Sequence, residues 1–183
     1  MKNSLFNLKA IAKLGILCAI SIVLVYFIRF PIFPAVSFLE YDPADISILI
    51  GTFTFGPIAG LVLTVIVSLI QGVTVSAGSG LYGIIMHIIA TGTLSLVSGL
   101  IYKKKKTKSR AAIALGAGTL AMTLVMFFAN LIVTPIFMAQ FGVTREVVLT
   151  LMPLILGFNL IKAGINSVLT FFLYKRISNF IRK

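Results

Sequence analysis

Apolar runs long enough to cross a lipid bilayer recur along the whole of this 183-residue sequence, and they constrain its fold more than any other feature. A helix needs about 20 mainly apolar residues to span the hydrocarbon core. Hydrophobic residues make up 59% of the chain and charged residues only 11%, against roughly 25% charged residues in a soluble domain. We therefore predict an all-α integral membrane protein, with residues 1–183 forming one membrane domain.

Six apolar runs are separated by short polar or proline-rich connections, and each predicts one transmembrane helix. The runs are Leu14–Ile28, Ile46–Phe55, Ile58–Val75, Leu81–Tyr102, Ala111–Phe137 and Val147–Tyr174. Gly56 and Pro57 break the chain between the second and third runs. Because the second run is short, a buried or re-entrant helix is an alternative to a complete crossing there.

The basic residues are distributed unevenly between the two sides of this six-helix topology. Thirteen of the sixteen lysines and arginines fall on the side of the chain termini, whereas only Arg29 and Arg145 fall on the other side and Lys162 lies within a run. Cytoplasmic segments carry such an excess of positive charge. We therefore expect both termini in the cytoplasm of a multi-pass cell-membrane protein. The positions of these charges beside the helices argue against nucleic-acid binding.

Three of the four acidic residues, Glu40, Asp42 and Asp45, lie between the first and second runs. Asp42 followed by Pro43 is typical of a helix start, and Asp45 would then lie in the first turn, where a carboxylate favours the helix dipole. These local roles do not account for Glu40 or for the nearby apolar side chains, including exposed Leu39 and Tyr41. We expect this proline-rich loop to form a lid, a role compatible with helix capping.

Lys162 lies near the middle of the sixth run, where a lysine costs about 2.5–3.5 kcal/mol on insertion scales. Asn159 and Asn166 share its helical face, and Asn130 is a further amide deep in the fifth run. One interpretation is a hydrogen-bond network that only holds the helices together. The other is a site for a polar ligand, because a lysine donates hydrogen bonds and each amide both donates and accepts them.

Catalytic and metal sites are not evident in the sequence. His87 is the only histidine and has no second histidine or carboxylate at ligand spacing, so an interhelical hydrogen bond is favoured over a metal site or a proton relay. No Ser/His/Asp set can be assembled from the runs, which carry no acidic residue. We therefore predict that the protein is not an enzyme and holds neither a metal nor a cofactor.

Small residues form a stripe on the first helix. Ala12, Gly15 and Ala19 recur at helical spacing, and Gly15 and Ala19 form a small-xxx-small pair. Such stripes allow two helices to approach closely in lipid. The stripe predicts either packing inside this bundle or docking of a second membrane protein.

The sequence resembles the substrate-binding S component of energy-coupling factor (ECF) vitamin transporters, of the riboflavin type. The resemblance depends on four features along the chain: Phe38–Ile46 (FLEYDPADI), Ile48–Leu61 (ILIGTFTFGPIAGL), Asn130, and Asn159-x-x-Lys162. The family's usual Ala-xxx-Ala appears here as Gly15-xxx-Ala19, which preserves residue size.

The resemblance implies a subunit that captures riboflavin from outside the cell and delivers it to the cytoplasm. A transmembrane coupling protein (T component) and two ATPase subunits would dock on the stripe of Ala12, Gly15 and Ala19 and supply the energy. The flavin ring would lie among apolar residues, and its polar atoms would meet Asn130, Asn159 and Lys162. The candidate ligand-binding residues are Leu39, Glu40, Tyr41, Asp42, Asp45, Asn130, Asn159, Lys162 and Asn166.

Other possibilities remain open at this stage. A standalone secondary transporter of a small polar-aromatic vitamin would need an intramembrane acid or a broken helix for ion coupling. The residue pattern also does not distinguish riboflavin from FMN or from flavin analogues, and it leaves open whether Asp42 and Asp45 are only helix caps.

Overall fold

The computed structural model describes residues 8–182, and their side chains up to residue 177. Over these residues the chain forms six α-helices: α1 (Leu8–Phe27), α2 (Ala44–Phe55), α3 (Pro57–Val73), α4 (Gly80–Lys104), α5 (Lys108–Met138) and α6 (Arg145–Arg182). Four of these described helices, α1, α4, α5 and α6, are long and apolar enough to cross a membrane. The all-helical prediction is confirmed over this range, whereas six complete crossings and the side of the termini stay predictions.

Helix α2 lies at the centre of the bundle. Its 12 residues span about 18 Å at 1.5 Å per residue, and every residue from Ala44 to Phe53 is buried. It packs against α1, α3, α4 and α6. The predicted break after this helix is confirmed: Gly56 has a φ of 106°, which favours glycine, and Pro57 begins α3.

The helices extend beyond the predicted apolar runs. Helix α1 begins at Leu8 rather than Leu14, and α6 continues to Arg182 rather than ending at Tyr174. Pro135 and Pro153 both lie inside helices. An apolar run predicts only the part of a helix that would contact lipid. The same helix can continue into flanking segments that contain polar and basic residues.

Apolar side chains also cover the outside of the bundle, as expected for a surface that meets lipid. On α5, Leu120, Leu124 and Phe128 follow one another at four-residue spacing and are all exposed. The opposite face of α5 contributes buried small and sulfur-containing residues, including Ala114, Gly118 and Met122. The exposed stripe and the buried stripe fix the rotation of this helix in the bundle.

Residues 28–43, which we call the first loop, fold as a compact cover. Two short strands, β1 (Phe30–Pro31) and β2 (Glu40–Tyr41), pair antiparallel with Phe30 opposite Tyr41, and a 3-10 turn lies between them at Pro34–Val36. The loop packs onto the first half of α6 in an apolar cluster. That cluster contains Val36, Leu39, Tyr41, Val148, Met152, Ile155 and Phe158.

The first loop corrects the expectation that Leu39 and Tyr41 are exposed. Both are buried, at 8% and 6% relative exposure, because α6 offers them an apolar surface on which to pack. The start of α2 also differs slightly from the prediction. The helix begins at Ala44, one residue after Pro43, and the Asp42 side chain accepts a hydrogen bond from the Ala44 N–H at 3.1 Å.

Candidate functional site

A cavity of about 100 Å³ lies beneath the first loop, between it and helices α3 to α6. One part of its wall is apolar and formed by aromatic, aliphatic and thioether side chains: Phe38, Leu39, Met86, Met122, Met126 and Phe158. Its main polar groups come from α3, α4, α6, the α3–α4 connection and the first loop: Arg29, Glu40, Asp42, Ser68, Gln71, Ser76, His87, Asn159 and Lys162. Apolar walls with a few fixed polar groups are typical of small-molecule sites.

Lys162 and Asp42 form a buried ion pair at the base of this cavity. The Lys162 Nζ lies 2.6 Å from the Asp42 Oδ2, and the two side chains are 8% and 6% exposed. The other oxygen of Asp42 accepts the Ala44 N–H. Burial works against ionisation of Asp42, but the neighbouring Lys162 ammonium and these hydrogen bonds bring the pKa of its carboxyl below the ordinary value. Asp42 therefore joins the first loop to α6 as a carboxylate.

Asn166 ties the first loop and α2 to α6, one turn beyond Lys162. Its Nδ2 donates to the Asp42 carbonyl at 3.0 Å and to the Asp45 Oδ2 at 2.9 Å. Its Oδ1 accepts the Tyr41 hydroxyl at 3.0 Å. Both ends of this amide are therefore engaged in holding neighbouring segments of the protein.

His87 on α4 lies between α3 and α2 and also lines the cavity. Its Nδ1 is 2.7 Å from the Ser68 hydroxyl, and its Nε2 is 3.4 Å from the Thr91 hydroxyl and 3.8 Å from the Asp45 Oδ1. Asp45 is fully buried and accepts the Thr91 hydroxyl at 2.6 Å. The sequence interpretation of His87 as an interhelical hydrogen-bonding residue agrees with these contacts.

Arg29 fastens the outer rim of the cavity. Its Nε donates to the Glu40 Oε2 at 2.6 Å, across the two short strands of the first loop. Its Nη1 donates to the Val75 carbonyl at 2.5 Å, and its Nη2 lies 3.4 Å from the Ser79 hydroxyl. The first loop is thereby linked to the connection between α3 and α4.

Two polar groups of the cavity wall have no hydrogen-bond partner in the described structure. The Gln71 Oε1 and the Ser76 Oγ are both buried and unpaired, and both residues line the cavity. An unpaired buried polar group costs about 1–3 kcal/mol. A ligand that brings hydrogen-bond donors to this side of the cavity would satisfy both atoms.

The model of the family "ECF transporter, substrate-specific component" matches residues 9–174 of this chain. The chain belongs to this family. It is 29% identical over 179 residues to the riboflavin transporter RibU of Staphylococcus aureus (strain TCH60), covering 96% of this chain and 93% of that protein. It is also 29% identical over 185 residues to RibU of Streptococcus thermophilus (strain ATCC BAA-250 / LMG 18311), covering 97% and 86% respectively.

The fold of this S component is shared with solved structures. The S component of a bacterial ECF transporter superposes with a TM-score of 0.77 at 28% identity, covering 94% of this chain and 97% of that one. FolT bound with folic acid superposes with a TM-score of 0.63 at 22% identity. The fold thus accommodates different ligands, so the fold alone does not identify the ligand here. The named relatives are transporters and not enzymes, and four of the described helices are long and apolar enough to cross a membrane, which agrees with the predicted class and location.

The nine candidate ligand-binding residues of the S component separate into two groups. Leu39, Glu40, Asp42, Asn159 and Lys162 line the cavity. The remaining four, Tyr41, Asp45, Asn130 and Asn166, lie outside its lining and make hydrogen bonds within the protein. Asn130, for example, donates to the Met126 carbonyl and accepts from Thr134, which in turn contacts Tyr82 of the wall.

Sequence reasoning missed the contributions of α3 and of the methionines. Ser68 and Gln71 are ordinary polar residues of an apolar run, and their three-residue spacing was the one sign of a polar side on α3. Ser76 follows the end of that helix. Met122 and Met126 are indistinguishable in sequence from lipid-facing or core residues. Arg29 was interpreted as a topology signal, whereas it bridges the loop and the α3–α4 connection.

The stripe of small residues on α1 faces outward. Ala12, Gly15 and Ala19 are all exposed, and a Cβ added at Gly15 would meet no atom within 4 Å. Helix α1 packs on α2 and α3 through its other face, which includes Leu17, Ser21 and Val25. Within the described structure the stripe therefore takes no part in packing of the bundle.

Proposed function

We propose that this S component binds riboflavin in the cavity beneath the first loop and delivers it to the cytoplasm with an ATP-driven coupling module. The observation that carries the proposal is the cavity beneath the first loop, which is lined by apolar side chains and by the unpaired Gln71 and Ser76 oxygens. The riboflavin transporters to which the chain is similar over most of its length favour this ligand. A flavin offers an apolar ring edge, polar ring atoms and ribityl hydroxyls, which match the two sides of the cavity.

The nine candidate residues would then act in two ways. Leu39, Asn159 and Lys162 would contact the flavin, together with Gln71 and Ser76, which the sequence did not single out. Tyr41, Asp45 and Asn166 would act indirectly, since their hydrogen bonds hold the first loop and α2 against α6. Asn130 would support Tyr82 of the wall through Thr134.

Entry of a flavin requires the first loop to move. The cavity holds about 100 Å³, whereas sites for drug-sized ligands are about 300–1,000 Å³. The contacts that would have to change are the hydrogen bonds of Arg29 with the α3–α4 connection and the packing of Leu39 on α6. We interpret the described conformation as closed. In this interpretation the first loop is the lid that the sequence predicts.

The exposed stripe on α1 supports the proposed partners. Ala12, Gly15 and Ala19 leave a shallow, close-packing surface that the bundle itself does not use. A transmembrane coupling protein carrying two ATPases would dock there, with six membrane crossings placing both termini in the cytoplasm. The uneven distribution of basic residues supports that orientation.

A binding experiment tests the ligand. The chain is purified in detergent without added vitamin, and quenching of riboflavin fluorescence is titrated, with folate as competitor because FolT has the same fold. Saturable, near-stoichiometric quenching that folate does not reverse is expected. Absence of quenching, or displacement by folate at similar concentration, would contradict riboflavin as the ligand.

One observation favours a second candidate, a standalone secondary transporter. Asp45 is a fully buried carboxylate within α2, close to His87, whereas the sequence runs carried no acidic residue. Buried ionisable groups of this kind serve in proton-coupled transport. Uptake into vesicles containing this chain alone, without ATP, would support this candidate, whereas uptake only with the coupling module would support the S-component mechanism.

A further inference from the structure

Four ionisable side chains meet in one buried cluster beside the cavity: Asp42, Asp45, His87 and Lys162. Lys162 pairs with Asp42 at 2.6 Å, and the His87 Nε2 lies 3.8 Å from the Asp45 Oδ1. If His87 were neutral, this cluster would hold two carboxylates and one ammonium group. Buried charges without partners are strongly disfavoured, so the positions of the protons in the cluster need to be established.

Neighbouring ionisable groups do not supply the missing positive charge. Arg29, on the far rim of the cavity, is paired with Glu40. Tyr41 donates its hydroxyl to Asn166, and Tyr82 shares a hydrogen bond with Thr134. Among the described groups around Asp45, His87 is therefore the one placed to balance it.

The hydrogen-bond partners of Asp45 fit a carboxylate, because both of its oxygens have a donor group within reach. Its Oδ1 accepts the Thr91 hydroxyl at 2.6 Å, and its Oδ2 accepts the Asn166 Nδ2 at 2.9 Å. A hydroxyl has a single hydrogen. Since Thr91 donates that hydrogen to Asp45, its oxygen at 3.4 Å from the His87 Nε2 acts as an acceptor. A proton on Nε2 fits this arrangement.

The same reasoning applies at the other ring nitrogen. Ser68 donates its single hydrogen to the Thr64 carbonyl at 2.6 Å. Its oxygen, 2.7 Å from the His87 Nδ1, then acts as an acceptor. A proton on Nδ1 fits this contact too, and both ring nitrogens would then face acceptors.

We propose that His87 is an imidazolium that serves as the counter-ion of Asp45 in the wall of the cavity. Desolvation and the nearby Lys162 ammonium disfavour a buried imidazolium, whereas the Asp42 and Asp45 carboxylates favour it. With both histidine nitrogens protonated, the cluster contains two negative and two positive groups and is neutral. Asp45 then remains an acceptor for Asn166, which holds Tyr41 and the Asp42 carbonyl of the first loop.

His87 is thus a positioning residue for the binding site rather than a group that must contact the ligand. Its link to riboflavin rests on the proposed function, whereas its charge is a property of the chain alone. The two can be tested separately, because one measurement needs no ligand.

Nitrogen NMR measures the charge directly. His87 is the only histidine of the chain, so selective ¹⁵N-histidine labelling of protein purified with a histidine-free tag gives the signals of one ring. At pH 7 without riboflavin we expect two protonated nitrogens, the pattern of an imidazolium. One protonated and one unprotonated nitrogen, of either tautomer, would overturn the proposal.

The variant Asp45→Asn tests the pairing in the same experiment. Removing the carboxylate should convert the ring to a neutral imidazole, because Lys162 alone then balances Asp42. An imidazolium that persists in D45N would show that Asp45 is not its counter-ion, and would overturn the pairing. Thermal unfolding of D45N confirms that the compared proteins are folded.

A double-mutant comparison gives a second readout. His87→Gln retains a polar side chain but cannot carry charge, so it should lower the midpoint of thermal unfolding and weaken riboflavin binding about tenfold or more. Adding D45N to H87Q restores neutrality, and it should recover part of both losses. If D45N instead worsens H87Q, the two residues act only as hydrogen-bonding groups and the proposal fails. If no variant, including wild type, binds riboflavin, the proposed ligand is wrong, while NMR and thermal unfolding still test His87.

Discussion

Replacing Lys162 by methionine tests the cation at the base of the cavity most directly. Methionine fills a similar volume but leaves the Asp42 carboxylate without the ammonium that lies 2.6 Å away in the intact protein. Asp42 would keep only its hydrogen bond from the Ala44 N–H, at 3.1 Å. Because both side chains of the pair are less than one-tenth exposed, water cannot easily replace the lost partner.

The magnitude follows from two independent considerations. Removing one member of a buried ion pair typically costs about 3–5 kcal/mol. Alternatively, Asp42 can escape its unpaired charge by taking up a proton. From an ordinary pKa of about 3.9, protonation at pH 7 costs about 4 kcal/mol, at 1.36 kcal/mol for each pH unit. Closure of the first loop over a ligand should therefore lose about 3–4 kcal/mol in Lys162→Met, which corresponds to a weakening of roughly 10²- to 10³-fold.

Quenching of flavin fluorescence gives the assay. The chain contains no tryptophan, so no tryptophan emission from the protein contributes to the signal. Riboflavin is titrated against wild type, Lys162→Met, Asp42→Asn and the double variant. The double variant removes both charges, so it should bind at least about tenfold more tightly than Lys162→Met. The remaining difference in affinity between wild type and the double variant measures the direct contact of Lys162 with the flavin.

Two results would refute this reasoning. If Lys162→Met binds riboflavin like wild type, the cation contributes neither to the cover nor to the ligand. If the losses of the two single variants simply add in the double variant, Lys162 and Asp42 are not energetically coupled despite their short distance. Thermal unfolding of each variant in detergent distinguishes weakened binding from loss of the fold.

Three further predictions concern the ligand contacts, the cover and the docking stripe. Gln71→Leu should weaken riboflavin binding by about 1–3 kcal/mol. The midpoint temperature of unfolding of the empty protein should stay the same or rise slightly, because the substitution removes a buried unpaired oxygen. Unchanged affinity would place the flavin elsewhere. Glu40→Gln should increase both association and release rates in stopped-flow quenching, since Glu40 orients Arg29, whose guanidinium fastens the first loop to the Val75 carbonyl; unchanged rates would contradict that role. Gly15→Phe should abolish ATP-dependent uptake in vesicles with the coupling module and preserve riboflavin binding, whereas Gly116→Phe, at an equally open glycine on α5, should affect neither; equal effects of the two variants would rule out a specific docking stripe.

The membrane class, the order of the helices and the break at Gly56–Pro57 could be predicted from the sequence because each depends on local composition. The central position of α2 could not, since burial on all sides results from packing against four other helices. Lys162 was recognisable because a lysine in an apolar run is costly wherever the helix lies. The sequence indicated only that the partner of Lys162 lies in the first loop. It could not identify Asp42, because an ion pair between residues 120 positions apart depends on how the first loop folds.

The cavity wall shows the limit of sequence reasoning more clearly. Charge is rare in this chain, so charged positions attracted attention and neutral ones such as Gln71 and Met126 did not. Asn130 and Asn166 were chosen for their polarity, yet the structure uses Asn166 for hydrogen bonds between segments. Polarity within a membrane helix therefore identifies a residue that needs a partner, but it does not say whether the partner is a ligand or another part of the protein.

The clustering of acidic residues before α2 now has a physical explanation. Glu40, Asp42 and Asp45 each face a basic side chain: Arg29 at the start of the first loop, Lys162 on α6 and His87 on α4. The first pair closes the first loop on itself, the second fastens the loop to α6, and the third fastens the start of α2 to α4, so the loop and the helix after it are held at successive points along the chain. The outermost contact, with Glu40, is partly exposed and the inner two are buried. Screening by water makes the exposed pair the weakest, so opening should begin at Arg29 and Glu40 and leave α2 in place.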